Sequence, residues 1–293
     1  MNLWMAGIFL SDGPKWKFQR QLASNIFHIK AFREYTSDVF VIEGKKVIDY
    51  LGKAADEGIV VDFQELMLNY TLDSFGAISF GKSFGCLDNI GSEVPFAASL
   101  DNLNETCTRR LVDPLWKIRE CLTGISKKVN LDKQVLRSHA YGIIDKRKTE
   151  GHHAHKKDFL QLFMEGKDDE GKPLSDELVV DNIITFTAAA RDTTAHALTW
   201  MLYLVYREGT DKKIASTLIQ EVDEVLRGTE PTYTTYKKQK FAEACFYEAL
   251  RIYPSLPRNL RFCSFDVKLE EPSKKPDYGT SLAFPMLDGL KIR

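Results

Sequence analysis

The 293-residue sequence lacks several patterns that assign a chain to a function class at once. Its five cysteines are an odd number without close pairing or zinc-finger spacing, which favours a reducing, cytosol-facing setting over a disulfide framework. The formal net charge of -1 gives no electrostatic case for binding nucleic acid or an anionic membrane surface. No signal peptide, repeat or low-complexity linker is visible, and charges interrupt the apolar runs too often for a membrane span.

What the sequence has is helical periodicity. Hydrophobic residues make up 44% of the chain and charged residues 28%, as in ordinary globular proteins. The apolar period predicts helices over 14–28, 31–57, 63–78, 95–121, 127–149, 157–165, 175–207, 211–227 and 238–252. Only the segments 260–262 and 266–269 have the pattern of short strands. We therefore predict a mainly α fold with a long central helix and a small late β element.

The longest predicted helix, over 175–207, contains the unusual patch Ala189-Ala190-Arg191-Asp192-Thr193-Thr194. Ser175 supplies a start signal for this helix and Gly209 a stop signal. Asp and Thr disfavour helix interiors because their short polar side chains compete for backbone groups. Ala189, Ala190 and Thr193 share one face, so a flat ligand could lie against the small side chains. Close helix–helix packing explains the same alanines, and this segment alone leaves both interpretations open.

Two further pairs of residues are spaced to share a helix face. Trp16 and Arg20 are four residues apart, whereas Glu248 and Arg251 are three apart and can pair with planar, two-pronged geometry. Each pair is common by itself. An Arg-x-x-Arg sequence, Arg258 to Arg261, follows the proline break at Pro254 and Pro257.

In this order, these elements strongly resemble the cytochrome P450 superfamily of haem-thiolate monooxygenases. That family has a Trp-x-x-x-Arg helix, a long distal helix with small-small-x-acid-Thr-Thr, a Glu-x-x-Arg helix and then Arg-x-x-Arg. The resemblance covers residues 7 to 265, so we predict a partial haem-monooxygenase helical core over 1–265 and a weakly patterned tail over 266–293. The Gly-Ile-Phe-x-x-Asp-Gly-x-x-Trp segment at 7–16 and the Ala-Arg-Asp-Thr-Thr-Ala segment at 190–195 are similar to the branch that oxidises long-chain fatty acids near the terminal methyl.

The resemblance implies a haem b cofactor and assigns residues to it. Arg20 and Arg261 would neutralise the haem propionates, and Trp16 would add an indole N–H donor. Ala189 and Ala190 would leave room for dioxygen above the haem plane. The family usually has glycine where this chain has Ala190, a difference of one methyl group.

The resemblance also implies the roles of the remaining site residues. Asp192 and Thr193 would be catalytic, the carboxylate relaying protons inward and the hydroxyl positioning water. Glu248 and Arg251 would form a buried structural ion pair, which is costly to break. The implied partners are an apolar substrate, dioxygen and a reductase that delivers NADPH-derived electrons.

One departure from the family pattern concerns the haem ligand. The family's thiolate lies in a Phe-x-x-Gly-x-x-x-Cys-x-Gly loop that this sequence does not contain, and Cys263 lacks the loop's glycines. We therefore expect an internal fragment of a protein on the cytosolic face of the endoplasmic reticulum membrane, with its membrane contact in a part that precedes this sequence. The alternative is a catalytically inactive helical fragment.

Overall fold

The computed structural model describes residues 7–9, 11–26, 30–150, 158–167 and 171–257. In these ranges the chain is helical and holds no strand; Lys167 and Pro173 form an isolated bridge. The predicted mainly α fold is confirmed. The predicted late β element, at 260–269, lies outside the described residues.

The helices follow the predicted order closely. They are α1 (Gly13–Ile26), α2 (Lys30–Glu57), α3 (Phe63–Phe80), α4 (Pro95–Val112), α5 (Trp116–Thr123), α6 (Ile125–Glu150), α7 (Phe159–Glu165), α8 (Asp176–Tyr206), α9 (Lys212–Leu226), α10 (Tyr233–Tyr236) and α11 (Lys240–Ile252). A 3₁₀ turn, Leu87–Asn89, lies between α3 and α4. The sequence predicted neither this turn nor α10, since a segment of three or four residues is too short to show a period.

The helix predicted over 95–121 is in fact two helices, because Pro114 interrupts it. Proline lacks an N–H group and disfavours the helical conformation in the residue before it. Asp113 is accordingly extended, with φ −108° and ψ 101°. Its carboxylate accepts a hydrogen bond from the Leu115 N–H at 2.9 Å, which directs the chain into α5.

The chain divides into two compact units, Met1–Arg191 and Asp192–Arg293, with the boundary inside α8. In the first unit α4 packs on α6, α2 on α3, and α7 on both α1 and α3. The core of this unit is apolar, and its fully buried side chains include Leu72, Phe96, Leu100, Leu136, Ile144, Phe163 and Ile183. The predicted boundary at 265/266 lies outside the described residues and stays a prediction.

The described part of the second unit contains the end of α8 and the helices α9 to α11. Glu221 of α9 accepts hydrogen bonds from the N–H groups of Phe241 and Ala242, at 2.7 and 2.9 Å, and so caps the start of α11. In α11 only Ala249 is fully buried, and α9 buries no residue fully. No helix of the described residues is both long and apolar enough to cross a membrane.

Candidate functional site

Helix α8 begins where the sequence predicts and continues through the unusual patch without a break. The Ser175 hydroxyl accepts a hydrogen bond from the Leu178 N–H at 3.3 Å and caps the helix. The 31 residues of the helix span about 46 Å. Thr185 and Thr187 donate their hydroxyl protons to carbonyl oxygens one turn earlier, at 2.6 and 2.7 Å. These bonds satisfy the buried hydroxyls and explain how the helix tolerates threonine.

The predicted ligand face of α8 is present as a continuous helical surface. Ala189 and Ala190 lie one turn before Thr193, and all three side chains are partly buried. Asp192 is also partly buried, about 100° around the helix from Thr193, whereas Thr194 is exposed. The single methyl group that distinguishes Ala190 from glycine does not interrupt the helix.

In the first unit, the segment that leads into α1 packs closely against α8 at Gly7. A Cβ atom on Gly7 would overlap the Thr185 side chain, so only glycine allows this approach. The Ser11 hydroxyl donates to the Gly7 carbonyl at 3.1 Å, and Gln19 of α1 donates to the Ser11 oxygen at 2.9 Å. Thr185 is one turn before Ala189. The chain therefore enters α1 next to the small-residue part of α8.

Trp16 and Arg20 lie one turn apart on α1, as predicted, and both are exposed. Trp16 is 46% exposed, and no ion pair joins Arg20 to another described residue. An indole N–H one helical turn from an exposed guanidinium is a donor set suited to an anionic group such as a haem propionate. These residues therefore fit the implied cofactor. Arg261, the other predicted propionate ligand, lies outside the described residues.

The pairing predicted for Glu248 and Arg251 is present in the second unit, but its predicted burial is wrong. Arg251 donates from Nε and Nη2 to the two carboxylate oxygens of Glu248, each at 2.7 Å. The hydrogen bonds from Arg251 lower the pKa of Glu248. Both side chains are 54% exposed, because no other part of the described chain covers this face of α11. Solvent therefore screens the pair.

The segment that follows α11 contacts α8 through two interactions that sequence reasoning missed. The Ser255 hydroxyl donates to the backbone carbonyl of Thr193 at 2.8 Å. The rings of Trp200 and Tyr253 stack with centroids 4.0 Å apart and an interplanar angle of 17°. Thr193 and Trp200 are seven residues apart and so lie on the same side of the helix. The Glu-x-x-Arg helix is thereby attached to α8 at the patch itself.

Sequence reasoning also gave no role to Arg191, which turns out to be one of the most buried charged residues. It is 2% exposed and pairs with Asp101 of α4 through two hydrogen bonds. The Thr71 hydroxyl of α3 donates to its backbone carbonyl at 3.0 Å. The only available signal was its position in the patch, since nothing in the local pattern points to Asp101 or Thr71.

Two of the described cysteines, Cys86 and Cys245, have a thiol that is harder to ionise than usual. Burial, together with the Asp73 carboxylate, raises the pKa of Cys86 to about 12, so its thiol stays protonated. Burial also raises the pKa of Cys245. No group of three or more possible metal ligands occurs among the residues that the structure describes. Cys263 lies outside them.

Comparisons with known protein sequences and structures show which proteins this chain resembles. The sequence profile of the family Cytochrome P450 matches residues 5–280. The chain is 29% identical to cytochrome P450 monooxygenase cyp1 of Mycosarcoma maydis, over 87% of this chain and 42% of that protein. It is 30% identical to cytochrome P450 704B1 and to cytochrome P450 86B1 of Arabidopsis thaliana, each over 86% of this chain, and over 56% and 48% of those proteins. The chain thus spans about half the length of these curated relatives.

A solved structure supports the fold. The crystal structure of a cytochrome P450, CYP102L1, superposes with a TM-score of 0.72 at 21% sequence identity, covering 86% of this chain and 53% of that one. At this identity the likeness concerns the fold alone. Since the family profile spans most of the chain and the motifs occur in the family's order, the chain belongs to the cytochrome P450 family.

Proposed function

We propose that the protein containing this chain is a haem-dependent monooxygenase, which inserts one oxygen atom of dioxygen into a C–H bond of an apolar substrate. The observation that carries this proposal is the patch on α8, where Asp192 and Thr193 follow two alanines in an unbroken helix of a cytochrome P450 chain. When bound, the haem b supplies the activation of dioxygen. The protein's own residues then have to bind the haem, shape its distal side and deliver protons.

Three groups of residues divide this work. Arg20 and Trp16 on α1, together with Arg261, would hold the haem by its propionates. Ala189 and Ala190 keep side-chain volume small on the distal side. The Thr193 Oγ1 holds a proton or a water molecule there, and the Asp192 carboxylate brings protons to it from solvent.

The proposed substrate is a long-chain fatty acid, oxidised near its terminal methyl. Its support is the resemblance of the segments 7–16 and 190–195 to the branch with that activity. The proposed electron source is NADPH, through a reductase, and the proposed location is the cytosolic face of the endoplasmic reticulum membrane. The long apolar chain of such a substrate would lie along hydrophobic helices, with the carbon near its terminal methyl next to the iron, and this suits oxidation at that end.

The test is spectroscopic and chemical and uses the complete product of the gene. We expect the purified protein to bind haem stoichiometrically and to show the carbon monoxide difference spectrum of thiolate-ligated haem. With a reductase, NADPH and a saturated long-chain fatty acid, it should form a hydroxylated product that carries one atom from labelled dioxygen. A protein that takes up no haem would contradict the proposal and favour the alternative, a catalytically inactive helical fragment.

A further inference from the structure

The patch on α8 also contains a charged residue to which the proposed function gives no role. Arg191 follows Ala190 and precedes Asp192, and its guanidinium is almost completely removed from solvent. It forms a two-pronged pair with Asp101 of α4, in which Nη1 donates to Oδ1 and Nη2 donates to Oδ2 at 3.1 Å. The Asp101 side chain is 56% exposed, so the pair reaches from the interior to the surface.

The backbone of the same residue is held by a third helix. The buried Thr71 hydroxyl of α3 lies 3.0 Å from the Arg191 carbonyl and shares its single proton between that oxygen and two carbonyls of its own helix, at 2.9 and 3.2 Å. Arg191 is therefore fixed through its side chain by α4 and through its main chain by α3. Both attachments are made within the first compact unit.

The guanidinium of Arg191 lies in a poorly solvated region that also contains a buried carboxylate. Asp73 is fully buried and accepts hydrogen bonds from the Cys86 and Leu87 N–H groups, at 3.1 and 2.8 Å. Burial and the Asp73 carboxylate raise the pKa of Cys86, whereas the charge of Arg191 lowers it. Asp73 and Arg191 therefore both lie close enough to Cys86 to affect its ionisation. A buried guanidinium is costly unless it is paired. Asp101 contributes a carboxylate to this guanidinium, so its loss raises the cost of keeping Arg191 buried in its present position.

We propose that Arg191, held by Asp101 and Thr71, is a positioning residue that fixes the rotation of α8 at Asp192 and Thr193. The consequence for oxygen chemistry rests on the proposed function. A helix has a Cα radius of about 2.3 Å, so a rotation of about 20° moves each Cα by about 0.8 Å. A displacement of about 1 Å is enough to lower a reaction rate about 100-fold where a proton has to be delivered to one place.

The first variant is Asp101→Ala in the complete gene product, because Asp101 is exposed and alanine suits a helix. We expect amide hydrogen exchange over 192–195 to accelerate about tenfold, the change expected for loss of one charge-assisted pair. We also expect the amount of product per NADPH to fall about tenfold, at an unchanged haem content. Asp101→Glu, which keeps the carboxylate, should recover most of both values. Thr71→Val, which removes only the hydroxyl bond, should accelerate the same amides.

The matched control is Arg137→Ala. Arg137 of α6 donates to Asp181 and Glu177 of α8, at 2.8 and 3.2 Å, so it also ties α8 to a neighbouring helix, ten residues before Arg191, although its side chain is 26% exposed. This variant should accelerate exchange near 181 and leave the product per NADPH unchanged.

The proposal is overturned if Asp101→Ala leaves either exchange over 192–195 or product per NADPH unchanged, or if the control lowers product equally. If the unmodified protein shows no haem-dependent turnover, the proposed function fails, whereas the exchange measurements still decide whether Arg191 holds the helix.

Discussion

Thr193 and Thr194 are neighbours on α8 with the same side chain but different surroundings. Thr193 is partly buried on the face that carries the two alanines, whereas Thr194 is exposed. We predict that Thr193→Ala lowers the product formed per NADPH, by about 10²- to 10⁴-fold at most, and releases the lost reducing equivalents as hydrogen peroxide. The measurement is NADPH consumption, peroxide and product in the same reaction.

Thr194→Ala is the control for this prediction, since it removes an identical hydroxyl from the neighbouring position. It should keep the ratio of product to NADPH of the unmodified protein. Unchanged coupling in Thr193→Ala would contradict a role for its hydroxyl in proton delivery.

A second prediction at this scale concerns the buried pair of Arg147 and Asp158, which joins α6 to the start of α7. The two groups make two hydrogen bonds, at 3.0 and 2.7 Å, and Arg147 also donates to the Phe80 carbonyl at 3.1 Å. Asp158 also accepts from the Gln161 N–H and caps α7. We predict that Asp158→Ala lowers the free energy of unfolding by about 3–5 kcal/mol, because it leaves a buried guanidinium without its partner. Urea unfolding measures this change.

The neighbouring Lys148 provides the control. It pairs with Asp176 at 2.6 Å, but both side chains are about half exposed and solvent screens the pair. Lys148→Ala should change the free energy of unfolding by at most about 1 kcal/mol. Equal effects of the two substitutions would show that burial does not determine the contribution of the Arg147 pair.

Among the elements, the segment that leads into α1 is fixed by Gly7. We predict that Gly7→Ala destabilises the protein by about 1–3 kcal/mol, the usual range for overpacking, because its Cβ would overlap Thr185. Thr185→Ala should relieve part of this overlap, so the two substitutions together should cost less than the sum of each alone. Thermal unfolding of the four proteins completes the cycle.

Gly52→Ala is the matched control, since Gly52 lies within α2 and an added Cβ would meet no atom within 4 Å. It should be neutral or stabilising, by about 0.5–1 kcal/mol, because alanine favours a helix interior. A strictly additive cycle for Gly7 and Thr185 would show that the predicted contact does not govern the substitution.

The elements also show how far local pattern predicts structure. The period of apolar residues and the capping residues predicted α8 and most other helices, because both signals depend on residues within a few positions. The helix predicted over 95–121, which is two helices in the structure, has a local cause as well. The ring of Pro114 disfavours the helical conformation at Asp113. The short α10 has too few residues for a period to be seen.

At the scale of the whole molecule, the described part of the second unit has little core of its own. Helix α9 buries no residue fully, and several large apolar side chains of this unit are exposed. They include Tyr203, Tyr206, Ile219, Tyr247 and Leu256. A unit with this much apolar surface gains little free energy from burial.

We therefore predict that haem has a large effect on the stability of the complete gene product. A ligand that binds only the folded state adds stability that rises with its concentration, by about 2.7 kcal/mol at 100 times its Kd. Removal of haem should lower the melting temperature, and Arg20→Met should make haem dissociate faster by removing a partner for the propionates. Calorimetry and haem transfer to an acceptor protein measure the two effects.

Lys17→Met is the control for the haem prediction, because it removes an exposed cation from the same helix at a position that is not part of the Trp-x-x-x-Arg pair. It should leave the rate of haem loss unchanged. An Arg20→Met protein that keeps haem as well as the unmodified protein would contradict the predicted propionate contact.

The sequence by itself determined the helices, their order, the shared faces of Trp16 with Arg20 and of Glu248 with Arg251, and the resemblance that the family profile confirms. All of these depend on short spacings along the chain. Only the tertiary structure decided that Gly7 meets Thr185, that Arg191 pairs with Asp101, and that Glu248 and Arg251 are exposed. The physical reason is that such contacts join residues far apart in the chain and depend on how helices pack, which no local period records.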